Sequence, residues 1–69
     1  MFNVKKEAVA LVLKYFGSQA AGLYETYYAE KNDTDIIKSV EKLLKGFIGE
    51  EKTEAEMTPF YQLHNEPNL

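Results

Sequence analysis

The residues of this chain that could do chemistry include one acidic cluster and one histidine. The cluster comprises Glu50, Glu51, Glu54 and Glu56. Paired carboxylates can act in acid–base catalysis or hold a divalent cation. This cluster has no glycine-centred loop of calcium-binding spacing and no histidine nearby, so we interpret it as solvated surface or a helix N-terminus. His64 cannot form a zinc site by itself, and we interpret it as a polar residue of the C-terminal segment.

Hydroxyl and thiol chemistry has little support in this sequence. Ser18 and Thr34 have no accompanying histidine base or oxyanion glycines, so we interpret both as helix caps and not as nucleophiles. The chain contains no cysteine, which excludes disulfides and thiolate metal sites. We therefore predict a protein that is not an enzyme, with no catalytic residue, no metal, no cofactor and no small-molecule substrate.

Three lysines follow one another at helical spacing. Lys38, Lys42 and Lys45 stand at i, i+4 and i+7, and such a stripe could lie on phosphate or on an anionic membrane. The formal net charge is −3 and all eight basic residues are lysines. Because arginine, the usual bidentate reader of guanine and phosphate, is missing, we interpret the stripe as a solvated face and expect no nucleic-acid partner.

Tyrosines form the second set that could contact a macromolecule. Tyr24, Tyr27 and Tyr28 belong to one predicted helix, with Tyr15 shortly before it. Clustered tyrosines can stack on bases or form a hot spot for a protein partner. They can equally straddle the core boundary, with the ring inside and the hydroxyl in water. The sequence leaves both possibilities open.

Amphipathic helices must position all these residues. We predict helices at about 4–16, 19–31 and 35–48. Apolar residues recur at i, i+3, i+4 and i+7 in this part of the chain, as in helices that bury one face. The sequence suggests Asn3 as the first N-cap and Thr34 or Asp33 as the third. We find no strand-like alternation and no internal repeat.

A C-terminal helical arm follows at about 53–64. Thr53 and Glu56 fit a capping box at its start, and Pro59 interrupts any long helix. Met57, Phe60 and Leu63 would fold back onto the core. We thus predict an all-α fold, a small three-helix bundle with this arm, as a single domain over 1–64, and we expect 65–69 to fray.

The small size of this chain favours association with a partner. A single core in a chain of 69 residues supplies only about 3–5 kcal/mol. Without disulfides or a metal, association or very good packing must compensate. Most of the apolar residues at helical spacing should be core, and the apolar residues left at the edge of the core should form an interface. The candidate interface residues are Leu11, Tyr15, Tyr24, Tyr28, Ile36, Val40, Leu43 and Phe47.

The apolar run near the start is too short for a membrane or secretory role. It covers 8–13, Glu7 precedes it and Lys14 ends it. A bilayer span needs about 20 residues, and a signal peptide has a longer apolar region. We therefore expect a cytoplasmic protein with no membrane contact.

The first helix connection resembles a known domain family. Tyr15, Gly17 and Ala20, with Leu43 and Leu44 further on, match the pattern of a small helical domain. That domain is found at the C-termini of some bacterial serine/threonine kinases and response regulators. The pattern has an aromatic-x-Gly-Pro-x-Ala turn, and here Ser18 stands in place of the proline. The resemblance covers about 8–60 and implies a regulatory accessory domain with no catalytic residues of its own.

The functional prediction is a small, non-catalytic regulatory or protein–protein interaction module. It would self-associate as a homodimer or bind another protein partner. The alternative is a helix-turn-helix transcriptional regulator, with 18–28 or 35–45 as the recognition helix. The acidic charge and the missing arginine disfavour this alternative.

Overall fold

The fold is entirely helical in the part of the chain that the structure describes. The computed structural model describes the backbone of residues 2–64 and the side chains of residues 2–62. It contains α1 (Val4–Phe16), α2 (Ser18–Tyr28) and α3 (Asp33–His64), and residues 2–64 form no strand. The predicted all-α fold is therefore confirmed. The predicted tail at 65–69 and the side chains of Leu63 and His64 lie outside the described residues.

The third helix has two arms that meet at a glycine. Gly49 has φ 88° and ψ 167°, which are not helical angles. We call the arm before it α3N (33–48) and the arm after it α3C (50–64). The predicted C-terminal arm is α3C, which starts earlier than the predicted position 53. The backbone also stays helical through Pro59, where an interruption was predicted; its ring is exposed.

Helix starts follow side-chain capping only in part. Asn3 accepts a hydrogen bond of 3.0 Å from the backbone amide three residues later, as predicted. At the start of α3, the side chain of Asn32 accepts a hydrogen bond of 2.8 Å from the backbone amide of Asp35. The predicted cap at Thr34 or Asp33 is therefore wrong. Ser18 is no cap either, because Gly17 occupies the N-cap position and makes no side-chain bond. The helix α2 accordingly spans 18–28 and not 19–31.

The two halves of the chain share one helix–glycine–helix organisation. Gly17 joins α1 to α2 with φ 95° and ψ 172°, close to the angles of Gly49. The two glycines stand 32 positions apart, and most buried residues pair at the same offset. The buried pairs are Val4 with Ile36, Ala8 with Val40, Val12 with Leu44, Ala21 with Thr53, and Tyr28 with Phe60. The structure thus contains an internal repeat, and the prediction of no repeat is wrong.

The two halves bury their inner faces against each other. The rings of Phe2 and Phe60 meet edge to face, with their centroids 5.0 Å apart. The hydroxyls of Tyr28 and Ser39 share a hydrogen bond of 2.9 Å, and burial raises the pKa of this tyrosine. Each half therefore supplies the apolar surface that the other needs. This packing gives the chain one continuous core.

Candidate interaction surface

The eight predicted interface residues divide between the core and the surface. Four of them are buried: Leu11, Tyr28, Ile36 and Val40. Three are half-buried: Tyr15, Tyr24 and Leu43. Phe47 is 58% exposed. Only the half-buried and exposed residues can contact a partner while the core stays intact. The apolar residues Ile36 and Val40 of α3N are thus buried within the chain itself.

An open groove runs between α2 and α3N. Its α2 wall consists of Leu23, Tyr24 and Tyr27, and its α3N wall consists of Ser39, Lys42, Leu43 and Gly46. We call these residues the docking surface. The groove offers a cavity of roughly 400 Å³ at its end beside the first wall. It is lined mainly by apolar and aromatic groups, as protein-binding clefts commonly are.

Two docking-surface residues, Leu23 and Tyr27, lie outward. They are 70% and 52% exposed, whereas apolar spacing alone would place both on the inner face of α2. The inner stripe of α2 is instead Ala21, Tyr24 and Tyr28, at i, i+3 and i+7. Leu23 and Tyr27 stand one turn apart on the neighbouring stripe. A second apolar stripe beside the first was the available signal, but helical spacing alone cannot say which stripe is inside.

The groove lies where the other half of the repeat has a polar contact between its helices. In the other half of the repeat, Lys14 Nζ binds Glu56 Oε2 at 2.8 Å, and the hydroxyl of Tyr15 donates to the same oxygen. The position equivalent to Lys14 is Gly46, which has no side chain. The position equivalent to Tyr15 is Phe47, which has no hydroxyl to donate. The contact that closes α1 onto α3C therefore has no counterpart between α2 and α3N.

Gly46 has no structural requirement within the chain. Its backbone is helical, and a methyl group at its Cα would meet no atom within 4 Å apart from the adjoining backbone of its own helix. A glycine inside a helix costs about 1 kcal/mol relative to alanine. Nothing in the described part of the chain compensates for that cost. Its effect is that no side chain projects from this position of the α3N wall of the docking surface.

The docking surface contains one charged residue, Lys42, on its α3N wall. The α2 wall carries none, although the Lys31 ammonium stands 4.9 Å above the Tyr27 ring. On the outer edge of α3N, Asp35 and Lys42 are exposed, and neither forms an ion pair within the described residues. Lys45 reaches Glu41 at 3.6 Å. The predicted lysine stripe is thus exposed, as a solvated face would be.

Polar contacts away from the groove hold α3C in place. Hydrogen bonds from Lys14 and Tyr15 lower the pKa of Glu56, and the same bonds raise the pKa values of both donors. Tyr61 donates to Glu41 Oε2 at 2.7 Å, and burial together with this bond raises the pKa of the phenol. These shifts have structural causes in ordinary contacts between helices. They do not converge on a cleft as catalytic groups do.

The acidic cluster does not form a single site. Glu50, Glu51 and Glu54 are exposed on α3C, whereas Glu56 turns toward α1. Among the described side chains, those of residues 2–62, no three His, Cys, Asp or Glu groups stand where they could hold a metal ion. No helix in this part of the chain is both long enough and apolar enough to cross a bilayer. The interpretation of His64 concerns a side chain outside the described residues.

Comparisons with known proteins identify no family for this chain. No protein-family model, no curated protein and no solved structure matches it. The resemblance to the small helical domain of bacterial kinases and response regulators therefore stays a prediction. Gly17 does stand at the corner between α1 and α2, where that pattern places its glycine.

Proposed function

We propose that this protein is a small, non-catalytic interaction module that self-associates through the docking surface. The observation that carries the proposal is the exposure of Leu23 and Tyr27, 70% and 52%, beside an open groove. Single exposed apolar residues are common on monomers, but apolar residues grouped around a groove mark interaction sites. Tyrosine is also a residue that dominates the energetics of interfaces.

The composition of the groove supports a protein partner over a small molecule. Its walls are apolar and aromatic, and Lys42 is the charged side chain that lines it. The groove is open along its length, whereas sites for small molecules enclose most of the ligand surface. A helix or a helix pair from another protein chain fits such a shape. Binding of this kind gives a regulatory role without any chemistry of its own.

The test compares two leucines of similar exposure. Leu23 belongs to the docking surface, whereas Leu13 is 51% exposed on α1 and lies outside it. We expect the Leu23→Glu variant to remain monomeric at concentrations where the unmodified chain dimerises, with an unchanged helical circular dichroism spectrum. The Leu13→Glu variant should associate like the unmodified chain. Molar mass by light scattering provides the measurement, and equal loss of association in both variants would contradict the proposal.

The proposal includes a cytoplasmic location. Its support is the packing of α1, which contains the apolar run at 8–13. Ala8 and Val12 of that run are fully buried in the core. The helix is therefore an integral part of the fold. A fluorescent fusion found outside the cytoplasm would contradict this part of the proposal.

DNA binding remains the second candidate because three lysines of α3N are available. Lys38, Lys42 and Lys45 are exposed, as a phosphate-binding stripe would be. In contrast, α2 contains no basic residue, and its charged residue is Glu25. Since phosphate contacts dominate affinity for DNA, we expect no retention of duplex DNA even at low salt. Tight binding that weakens steeply with salt would favour this candidate over self-association.

A further inference from the structure

We propose that the docking surface binds a second copy of this chain in a two-fold arrangement. The α3N arms of the two copies run antiparallel, and Lys42 of each copy pairs with the partner's Asp35. This inference rests on the proposed self-association and adds its geometry. It follows from the order of charges along α3N, from the uncharged wall of α2 and from the small residue Ser39 at the centre of the stripe.

The charges along α3N are complementary to those of a second α3N arm that runs in the opposite direction. Asp35, Ser39 and Lys42 follow one another at i, i+4 and i+7, so they lie on one stripe. Ser39 and Lys42 line the groove, and Asp35 extends the stripe toward the helix start. In an antiparallel copy centred near Ser39, Lys42 of each chain lies opposite the partner's Asp35, which gives two ion pairs. A parallel copy would place like charges opposite each other, which is unfavourable.

The α2 wall fits the same arrangement. Leu23 and Tyr27 are one helical turn apart and both exposed. When the groove faces its own copy with α3N reversed, α2 is reversed as well, and Leu23 lies opposite the partner's Tyr27. The wall carries no charge, so it requires an apolar surface in return. A second copy presents that surface automatically, because a two-fold interface uses the same patch on both subunits.

Small residues keep the α3N stripe low, and Gly46 is one of them. Its helical position leaves open space above the backbone, and small residues let helices approach each other closely. The Cβ-free position sits on the same stripe as Ser39 and Lys42, four residues further along. In the antiparallel register, the small residue Ser39 lies at the centre between the two ion pairs, and Gly46 lies outside them, level with the start of the partner's α3N.

Disulfide trapping tests the antiparallel geometry directly. The chain has no cysteine, so Asp35→Cys and Lys42→Cys can be prepared as clean single-thiol variants. In the antiparallel dimer, positions 35 and 42 of opposite copies meet. Position 35 of one copy lies about 10 Å along the helix axis from position 35 of the other, and the same holds for position 42, because a helix rises about 1.5 Å per residue. That separation exceeds the Cα distance of about 7 Å that a disulfide can bridge.

Mixing the two cysteine variants under oxidising conditions should therefore give a cross-linked dimer. Each variant alone should stay uncross-linked on a non-reducing gel. A strong cross-link in the Asp35→Cys variant alone indicates a parallel arrangement and overturns the inference. Absence of the mixed cross-link, at concentrations where the unmodified chain dimerises, overturns it as well.

Charge reversal gives an independent readout that does not need a new covalent bond. We expect Lys42→Glu and Asp35→Lys each to weaken self-association by about tenfold, since two ion pairs become two repulsions. An equimolar mixture of the two variants should restore dimers, because every contact then joins opposite charges. Thermal unfolding of each variant checks that the fold persists, and Asp35→Asn tests the weakening alone if Asp35→Lys does not fold.

The outcomes separate the two proposals. If the unmodified chain dimerises, Leu23→Glu abolishes this, and mixing restores nothing, then the antiparallel arrangement is wrong and the docking surface stands. If the unmodified chain is monomeric at all concentrations, self-association itself is wrong and the arrangement fails with it. Restored dimers in the mixture, together with the mixed disulfide, support both.

Discussion

Gly17 and Gly49 turn the backbone through nearly the same angles, with φ and ψ of 95° and 172° at the first and 88° and 167° at the second. Each glycine directly joins two helices whose buried residues match at the same offset along the chain. These angles belong to a region that is essentially restricted to glycine. The two glycine corners therefore place corresponding bends in the two halves of the fold.

Replacement of a corner glycine should destabilise the protein. We expect Gly49→Ala to lower the free energy of unfolding by about 1–3 kcal/mol, because alanine is strained at a φ of 88°. Gly46→Ala is the matched control, as it lies three residues earlier in regular helix with open space around it. That variant should gain about 1 kcal/mol from helix propensity. Urea unfolding of dilute protein measures both, and similar effects at the two positions would refute the assigned role of the corner.

A buried hydroxyl offers a route to higher stability. Thr53 is fully buried, and its Oγ1 has no hydrogen-bond partner within the described part of the chain. An unsatisfied buried hydroxyl costs about 1–3 kcal/mol. Thr53→Val keeps the shape and removes the hydroxyl, so the free energy of unfolding should rise by about 1 kcal/mol. The equivalent residue in the other half is Ala21, which is also apolar.

Thr58 provides the control for the Thr53 prediction. Its Oγ1 donates to the backbone oxygen of Glu54 at 2.9 Å, and the residue is exposed. Thr58→Val should therefore change stability by less than about 0.5 kcal/mol. A loss of stability in Thr53→Val, measured by thermal and urea unfolding, would show that the hydroxyl has a partner after all.

The contact between α1 and α3C should make stability depend on pH in the acid range. Hydrogen bonds from Lys14 and Tyr15 hold the pKa of Glu56 below its ordinary value of 4.5. A carboxyl whose pKa is lowered by folding stabilises the folded state fully above its unfolded pKa. That contribution declines below 4.5 and is lost once the pH falls through the folded pKa.

Glu56→Gln tests this linkage. The variant should be less stable than the unmodified chain at neutral pH, and the difference should vanish in strong acid. Partly exposed ion pairs contribute about 0.2–1 kcal/mol, so the difference at neutral pH should be of that order. Glu51→Gln, at an exposed position on the same helix, should show no such difference. A gap between Glu56→Gln and the unmodified chain that persists unchanged in acid would contradict the linkage.

Helical periodicity was sufficient to predict much of the fold. The positions of α1 and α3N follow from their apolar spacing and from the glycines that end them. The caps were less predictable, because Asn32, Asp33 and Thr34 are all good capping residues and only the helix start decides between them. Thr53 fitted a capping box by type, yet it lies inside α3C because the helix begins directly after Gly49.

The docking surface was predicted only in part. Tyr24 and Leu43 were on the list of candidates, but Leu23 lies outward for a reason that spacing does not contain. The inner stripe of a helix depends on where the neighbouring helices stand, and α2 contacts both α1 and α3N. The repeat was missed because it preserves burial and size more than residue identity. Ala21 and Thr53, for example, differ in polarity but occupy equivalent buried positions.

Sedimentation equilibrium of the unmodified chain and of Leu23→Glu, from micromolar to millimolar concentration, tests the central claim most directly. We predict that the unmodified chain passes from 7.9 kDa toward twice that mass as its concentration rises. The Leu23→Glu variant should stay at the monomer mass over the whole range while remaining folded. A monomer mass for the unmodified chain at every concentration, or an equally strong dimer in the variant, would contradict self-association through the docking surface.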